Sequence, residues 1–404
     1  MDVLLVGSGG REHALAWKLT QAPSLHELHA APGNPGIARL GAGCHPVRAE
    51  DGEGLLVLAR SLEVDLVVIG PEAPLVAGVA DQLRHTGMPV FGPSAAAARI
   101  EGSKQFAKDV MRAAGVATAE TLAVARPPCV IKANGLAAGK GVFVCRDQDA
   151  LDAGLRAVTA FGGDIVIEEL LEGEEVSVFA LCDGTHAAAL PSAQDFKRVG
   201  DGDTGPNTGG MGSFSPVAVD AEEIVELVHR PVLAELAARG APFVGALYAG
   251  LMLTEDGPKV LEFNCRFGDP ETQSILPRLE GDLLEVLTAA ATGRGEQIEV
   301  GVVDDAAVTV VLAAGGYPEQ GDTGSAIEGI EAAEATGALV FHAGTALRGD
   351  LLVTNGGRIL NVTASGETVT DARERAYAAA ELIAFPGMRY RRDIAHEHGI
   401  RAAH

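Results

Sequence analysis

Residues 130–144 read VIKANGLAAGKGVFV. Within them Gly135-Leu136-Ala137-Ala138-Gly139-Lys140-Gly141 approaches a phosphate-binding P-loop. It has three residues, not four, between the first glycine and Gly139-Lys140, and Gly141 stands in place of Ser or Thr. The flanks CVIKAN and VFVCR both read as strands, whereas a P-loop must open a helix, so the P-loop fold fails on context. The alternative is a glycine hairpin with a lysine at its tip, able to close over a triphosphate, exclude water and supply positive charge. A solvent-exposed hairpin, with Lys140 there for solubility, is the competing reading.

Working outward, residues 116 to about 190 carry short apolar β-rich runs with one helical stretch near 148–160, which suggests an antiparallel sheet. Before them, apolar runs bounded by glycine (DVLLVG, ELHAAPG, VDLVVIG, PVFGP) alternate with helix-period stretches through the first 95 residues. Strand, helix, strand in that order predicts a parallel sheet with helices on both faces. Ser94 to Gly115 reads as one long helix stopped by Gly115 and bridging into the next domain. Residues 200–215 (GDGDTGPNTGGMGSFS) read as a polar glycine loop, followed by a helix near 220–239 and by strands in FVGALYAGLMLTEDGPKVLEFNCRF. A last unit starts near Asp305 and ends in a helix at 371–385. The fold class expected is therefore α/β and α+β, multidomain.

The chain's 404 residues suit two to four domains, and 47% hydrophobic residues allow a sizeable core. Its 51 glycines are nearly twice the usual share of about 7%. A net charge of −24 repels polyphosphate and 4% aromatic residues give few stacking platforms, which argues against a nucleic-acid partner. No apolar run approaches the ~18 residues of a membrane span, and MDVLLVG enters a strand with no basic leader, so a soluble cytoplasmic protein without membrane partners is expected. Five scattered cysteines with no CxxC speak against disulfides and zinc. Only seven of the 31 basic residues are lysine, and four of those seven lie between positions 104 and 140.

Four further motifs carry chemistry. Gly7-Ser8-Gly9-Gly10-Arg11-Glu12-His13 joins the first strand to the first helix, where backbone N–H groups can hold an anion. Glu12 occupies the position that a dinucleotide fingerprint reserves for glycine, so a phosphate-bearing ligand fits better than NAD, with a plain tight turn as the alternative. In VLEFNCRF, Leu261, Phe263 and Cys265 alternate with Glu262, Asn264 and Arg266. The second face offers hard oxygen ligands for Mg²⁺ beside a guanidinium suited to carboxylate or phosphate; an exposed polar sheet face is the alternative. Asp269 before Pro270 reads as a helix N-cap. Glu168-Glu169-Leu170-Leu171 through Glu175 forms a hinge between strands that could offer backbone groups to adenine, or be only a charged turn. Asp195-Phe196-Lys197-Arg198 leads into the glycine loop, which either approaches a ligand closely or is a mobile surface loop.

GSGGREHALAWKL, APGNPG, VIGPEAPLVAGV, VIKANGLAAGKGV, IVIEELLEGEE, QDFKRVGDGDTGPNTGGMG and VLEFNCRFGDPETQ occur in order. Together they resemble the glycinamide ribonucleotide synthetase family, the phosphoribosylamine–glycine ligases of the ATP-grasp superfamily. The resemblance implies an N-terminal open parallel α/β domain (1–100) that binds phosphoribosylamine. It also implies a central ATP-grasp fold (101–295) with a small β-rich lid subdomain at about 117–190, and a C-terminal β-rich domain (296–404). It further implies ATP-dependent joining of glycine to 5-phosphoribosylamine through glycyl phosphate, in de novo purine biosynthesis, by a monomer or weak homo-oligomer.

Carried over residue by residue, ATP would meet Lys104, Lys132, Gly139, Lys140, Glu168, Glu169, Leu170, Leu171 and Glu175. Mg²⁺ or Mn²⁺ would rest on Glu262 and Asn264. Gly9, Gly10 and Arg11 would take the sugar phosphate, while Asp195, Arg266 and Asp269 face the acceptor substrates. Lys140, Arg266 and Asp195 are the expected catalytic groups. The stretch from Ala117 to Val130 is shorter than in the family, implying a smaller lid. The rival within the superfamily, a biotin-carboxylase-like or formate-dependent ligase, is opposed by DTGPNTGGMG; a regulatory protein that has lost catalysis is opposed by the complete lysine and metal sets.

Overall fold

The computed structural model describes residues 1–137, 140–162 and 164–396. β1 (Asp2–Gly7), β2 (Glu27–Pro32), β3 (Gly43–Cys44), β4 (Leu66–Ile69) and β5 (Val90–Phe91) form one sheet in the order β3-β2-β1-β4-β5. All its neighbours are parallel. Helices cover both faces, so β1 and β4 are buried almost throughout and read as continuous apolar runs, as expected from the sequence.

The strand order reverses between β1 and β4, which opens a crevice at their carboxyl ends. Glu12, in the first turn of the Gly10–Leu19 helix, fills it. Its Oε2 accepts the Gly9 N–H (2.6 Å) and its Oε1 the Arg11 Nε–H (2.6 Å). A Cβ on Gly7 would lie 2.5 Å from Glu12 Cγ, and one on Gly70 would collide with the carboxylate. The residue that breaks the dinucleotide fingerprint therefore occupies the space a dinucleotide would need.

The stretch from Ser94 to Gly115 is two helices, Ala95–Gly102 and Lys104–Ala114, not one. Ser103 sits in extended conformation between them, and its Oγ accepts the Phe106 N–H (3.2 Å), so this hydroxyl caps the second helix and breaks the first. Gly115 ends the second helix in the left-handed region, φ 69°.

β6 (Cys129–Ala133), β7 (Val142–Cys145) and β8 (Ile165–Glu169) form an antiparallel sheet, β7-β6-β8, backed by the Gln148–Val158 helix over a small core of its own. β9 (Glu174–Asp183) and β10 (Ala187–Ala189) come next. Then β11 (Gln194–Asp195), β12 (Arg198–Gly200), β13 (Thr204–Asn207) and β14 (Gly212–Ser215) replace the loop read at 200–215. β15 (Val244–Thr254) and β16 (Gly257–Asn264) complete an antiparallel sheet in the order β10-β9-β15-β16.

β17 (Leu279–Glu280) pairs with β18 (Gly301–Val302). β19 (Ala306–Ala313), β20 (Asp322–Ala326), β21 (Leu339–His342), β22 (Thr345–Arg348), β23 (Leu351–Gly356) and β24 (Arg358–Gly366) follow. β14 pairs with β19, so the third large sheet runs β11-β14-β19-β24-β21 and draws two strands from before residue 216. Its core packs on the alanine face of the Val369–Ala380 helix.

The three parts are tied around the central sheet. Phe91 stacks on Phe267 with centroids 5.8 Å apart, Lys18 Nζ donates to the Leu279 carbonyl (2.5 Å), and the His342 N–H donates to His13 Nδ1 (2.7 Å). Among the described residues no helix is long and apolar enough to cross a membrane.

Candidate active site

A cleft of about 220 Å³ opens where the Lys104–Ala114 helix, the β6–β7 hairpin, β16 and the segment after β11 meet the end of the N-terminal sheet. Strand alternation sends Glu262 and Asn264 into it, and Arg266 continues that side past the end of β16. The pairing of β16 with β15 shifts register between Val260 and Glu262, at Leu261. Burial alone would raise the Glu262 carboxyl, but Lys197, Lys132 and Lys104 hold it below the usual range, so it is anionic. A carboxylate and an amide oxygen on one strand face suit a hard cation that takes its remaining ligands from water and phosphate. Among the described residues no group of three or more His, Cys, Asp or Glu side chains forms a metal cage, so the donor set fits an ion shared with a bound phosphate.

Opposite lies a lysine wall. Lys104 Nζ donates to the Gly135 carbonyl (2.9 Å). Lys132 lies 2.6 Å from Glu168 and also donates to the Leu261 carbonyl (2.8 Å); Lys108 lies 2.8 Å from the other Glu168 oxygen. All three side chains of this triad are buried. Burial pulls Lys104 and Lys108 below the usual amine range. Lys104 and Lys108 are one turn apart on a helix, which puts both on the cleft face.

At the other end, Lys197 bridges Glu175 and Asp195, the latter at 3.1 Å. Burial pushes the Asp195 carboxyl up to about 6 against the pull of Lys197, with Glu271 adding repulsion. Burial also raises Glu175. Beside them Ser177 Oγ lies 3.1 Å from the Tyr248 hydroxyl and 3.3 Å from Glu271 Oε1.

Where the N-terminal sheet meets the cleft, Arg266 is held by Glu72 (3.2 Å) and Glu101 (3.3 Å). These two carboxyls move in opposite directions. Burial opposes ionisation of both, but Glu72 sits between Arg266 and Arg11 and is brought down to about 2, whereas burial keeps Glu101 above the usual range. Arg11 Nη1 donates to the Phe267 carbonyl (3.0 Å).

Asp269 is not the helix N-cap expected; Pro270 takes that position and no side chain caps it. The Asp269 carboxylate instead pairs with Arg358 (3.2 Å) and accepts from Gln273 (2.8 Å), because a guanidinium from β24 reaches it across the domain boundary. Arg358 also donates to the carbonyls of Gly209 (2.5 Å) and Asp269 (2.7 Å).

Of the residues expected from sequence, Arg11, Lys104, Lys132, Glu168, Asp195, Glu262, Asn264, Arg266 and Asp269 share this cleft. Glu169, Leu170, Leu171 and Glu175 are not among its lining residues, and neither are Gly9 and Gly10 at the start of the first helix. Glu168 faces lysines with its carboxylate. Lys140 is exposed and its Nζ donates to the Pro318 carbonyl (2.8 Å), outside the cleft; Gly139 lies outside the described residues. Lys108, Glu72, Glu101, Tyr248, Glu271 and Arg358 were missed. The spacing of Lys104 and Lys108 was a readable signal for one of them; the others are joined only by the fold.

Family models cover most of the chain: phosphoribosylglycinamide synthetase N domain at residues 1–101, its ATP-grasp (A) domain at 102–272 and its C domain at 307–397. A phosphoribosylamine–glycine ligase of Mesorhizobium japonicum is 51% identical over 417 residues, covering 98% of this chain and 97% of the relative. One from Brucella melitensis is 50% identical with the same coverage. The crystal structure of a phosphoribosylamine–glycine ligase from Thermotoga maritima superposes with a TM-score of 0.83 at 36% identity, covering 98% of this chain and all of that one.

Proposed function

The chain belongs to the phosphoribosylglycinamide synthetase family, and from that premise we propose how its cleft uses ATP to join glycine to 5-phosphoribosylamine. It is an ATP-grasp ligase of purine biosynthesis that forms N1-(5-phosphoribosyl)glycinamide, ADP and phosphate. The observation that carries the assignment of roles is the opposition, across one cleft, of Lys104 and Lys132 to Glu262, Asn264 and Arg266.

Lys104 and Lys132 bind the ATP phosphates as compact charges, with Lys132 oriented by Glu168. A divalent cation, Mg²⁺ or Mn²⁺, held by Glu262 and Asn264 supplies neutralisation of the transferred phosphoryl group when bound. A carboxylate oxygen of glycine attacks the γ-phosphorus and ADP leaves, giving glycyl phosphate. Arg266, already fixed by Glu72 and Glu101, orients the anionic groups with little further ordering.

The amine of phosphoribosylamine then attacks the acyl carbon, and phosphate departs with the glycine oxygen that made the bond. Asp195, with its carboxyl at about 6, takes the proton the amine gives up. Arg11 and the start of the Gly10–Leu19 helix take the sugar phosphate, and Asp269 faces the acceptor substrates. The β6–β7 hairpin is the lid, and Lys140 moves from the Pro318 carbonyl to the phosphates on closure. ATP reaches the hinge Glu169 to Glu175 when the lid opens. In this reading residues 1–100 bind phosphoribosylamine, 101–295 form the ATP-grasp domain and 296–404 the C-terminal domain, in a cytoplasmic monomer or weak homo-oligomer.

The test is ADP release with glycine and freshly made phosphoribosylamine. ADP formation requires both acceptors; release that is equal with either omitted, or supported by bicarbonate and biotin, overturns the reading.

A further inference from the structure

Apart from Glu262, given above to the divalent cation, Glu271 is the cleft carboxylate that no ion pair holds among the described residues. Its side chain is 5% exposed, and the polar group within hydrogen-bond distance is the Ser177 hydroxyl at 3.3 Å. That hydroxyl has a single proton and also lies 3.1 Å from the Tyr248 oxygen. The surrounding cations are engaged elsewhere: Lys197 by Asp195 and Glu175, Arg358 by Asp269, and Arg266 by Glu72 and Glu101.

The position is built rather than incidental. A Cβ on Gly268 would lie 2.5 Å from Glu271 Oε2 and 3.0 Å from Phe179 Cζ, so the missing side chain at 268 makes the space the carboxylate occupies. A buried carboxylate left unpaired is costly, and this one faces a cleft that receives ligands.

We infer that Glu271 binds a primary ammonium group, that of the glycine substrate. Resting on the function proposed above, this assigns the amino end of glycine to the Glu271, Ser177 and Tyr248 corner and leaves its carboxylate toward Arg266. An ammonium fits better than a second divalent ion. Ser177 and Tyr248 offer neutral hydroxyl oxygens, which accept hydrogen bonds from N–H donors but are poor partners for Mg²⁺. Asp195 adds negative potential from the side without contributing the contact, because Lys197 already engages it.

Glycine binding by calorimetry to the full chain saturated with Mg²⁺ and a non-hydrolysable ATP analogue tests this. Glu271→Gln weakens glycine by about 100-fold, the scale for truncating one partner of a buried charge pair, while affinity for the analogue stays within about threefold. Unchanged glycine affinity in that variant overturns the inference. If Glu271→Gln loses the nucleotide as well, the unaltered protein decides: glycolate, which has a hydroxyl in place of the ammonium, competes at least about 100-fold more weakly than glycine, and equal competition overturns the inference. Glycine-independent ADP release by the unaltered protein would be a failure of the proposed function itself, and is distinguishable because it needs no variant.

Discussion

Replacing Lys108 by methionine removes one arm of the Lys108–Glu168–Lys132 triad. The side chains are 4%, 4% and 7% exposed, and the contacts are 2.8 and 2.6 Å. Breaking a buried pair from one side costs about 3–5 kcal/mol, because the remaining charge is left in a poor dielectric. Glu168 keeps Lys132, so the lower end applies, about 3 kcal/mol. For a domain of 150–250 residues that is a fall of roughly 6–12 °C in Tm.

A second effect follows from the geometry. With Lys108 gone, the full Glu168 charge acts on Lys132 and less of the lysine's field reaches the phosphates, so KM for ATP rises about tenfold, equivalent to about 1.4 kcal/mol. Lys108→Arg keeps the charge and recovers most of both. The double variant Lys108→Met with Glu168→Gln strands Lys132 instead, and its loss departs from the sum of the two single losses by about 0.5–3 kcal/mol, the coupling expected between groups in contact. A Tm for Lys108→Met within a degree or two of the unaltered protein would refute this reasoning, as would strictly additive losses in the double variant.

Glu262→Ala removes the carboxylate that faces the cleft from β16, and turnover falls by at least about a thousandfold at saturating Mg²⁺ while the circular dichroism spectrum is kept. Near-normal turnover contradicts the metal assignment. Because the Asp195 carboxyl is raised to about 6, its basic form is lost as pH falls through that value; kcat/KM for phosphoribosylamine declines about tenfold per pH unit below it, and the residual activity of Asp195→Asn lacks that limb. Lys140→Ala lowers kcat more than it raises KM for ATP, since the lysine acts in the closed complex. An unchanged kcat with a raised KM counts against the lid role.

What could be read from sequence was what is local. Alternation in VLEFNCRF placed Glu262, Asn264 and Arg266 together, and the irregularity at Leu261 does not disturb that face. The strands flanking the glycine hairpin separated it from a P-loop, and the pairing of β6 with β7 has that form. The clustered lysines also had a meaning: Lys104, Lys108 and Lys132 converge on the cleft, and Lys197 joins them from its far end. The misreadings are non-local. β14 looked like loop because its partner β19 begins about ninety residues later and supplies the ladder that makes it a strand. Asp269 looked like a cap because Arg358 could not be seen approaching it. The exception is local: Ser103 was absorbed into a helix because its hydroxyl ends the first helical run by capping the next, three residues on. Glu271 carries no local signal; its burial comes from Gly268, Ser177 and Tyr248 meeting around it.

The central claim is that a carboxylate oxygen of glycine attacks the γ-phosphate of ATP in this cleft. Glycine labelled with ¹⁸O in its carboxylate, turned over with ATP and phosphoribosylamine, tests it through the mass of the inorganic phosphate released. One labelled oxygen per phosphate is the predicted result, because the oxygen that bonds to phosphorus leaves with it. Unlabelled phosphate accompanying glycinamide ribonucleotide formation would contradict the account.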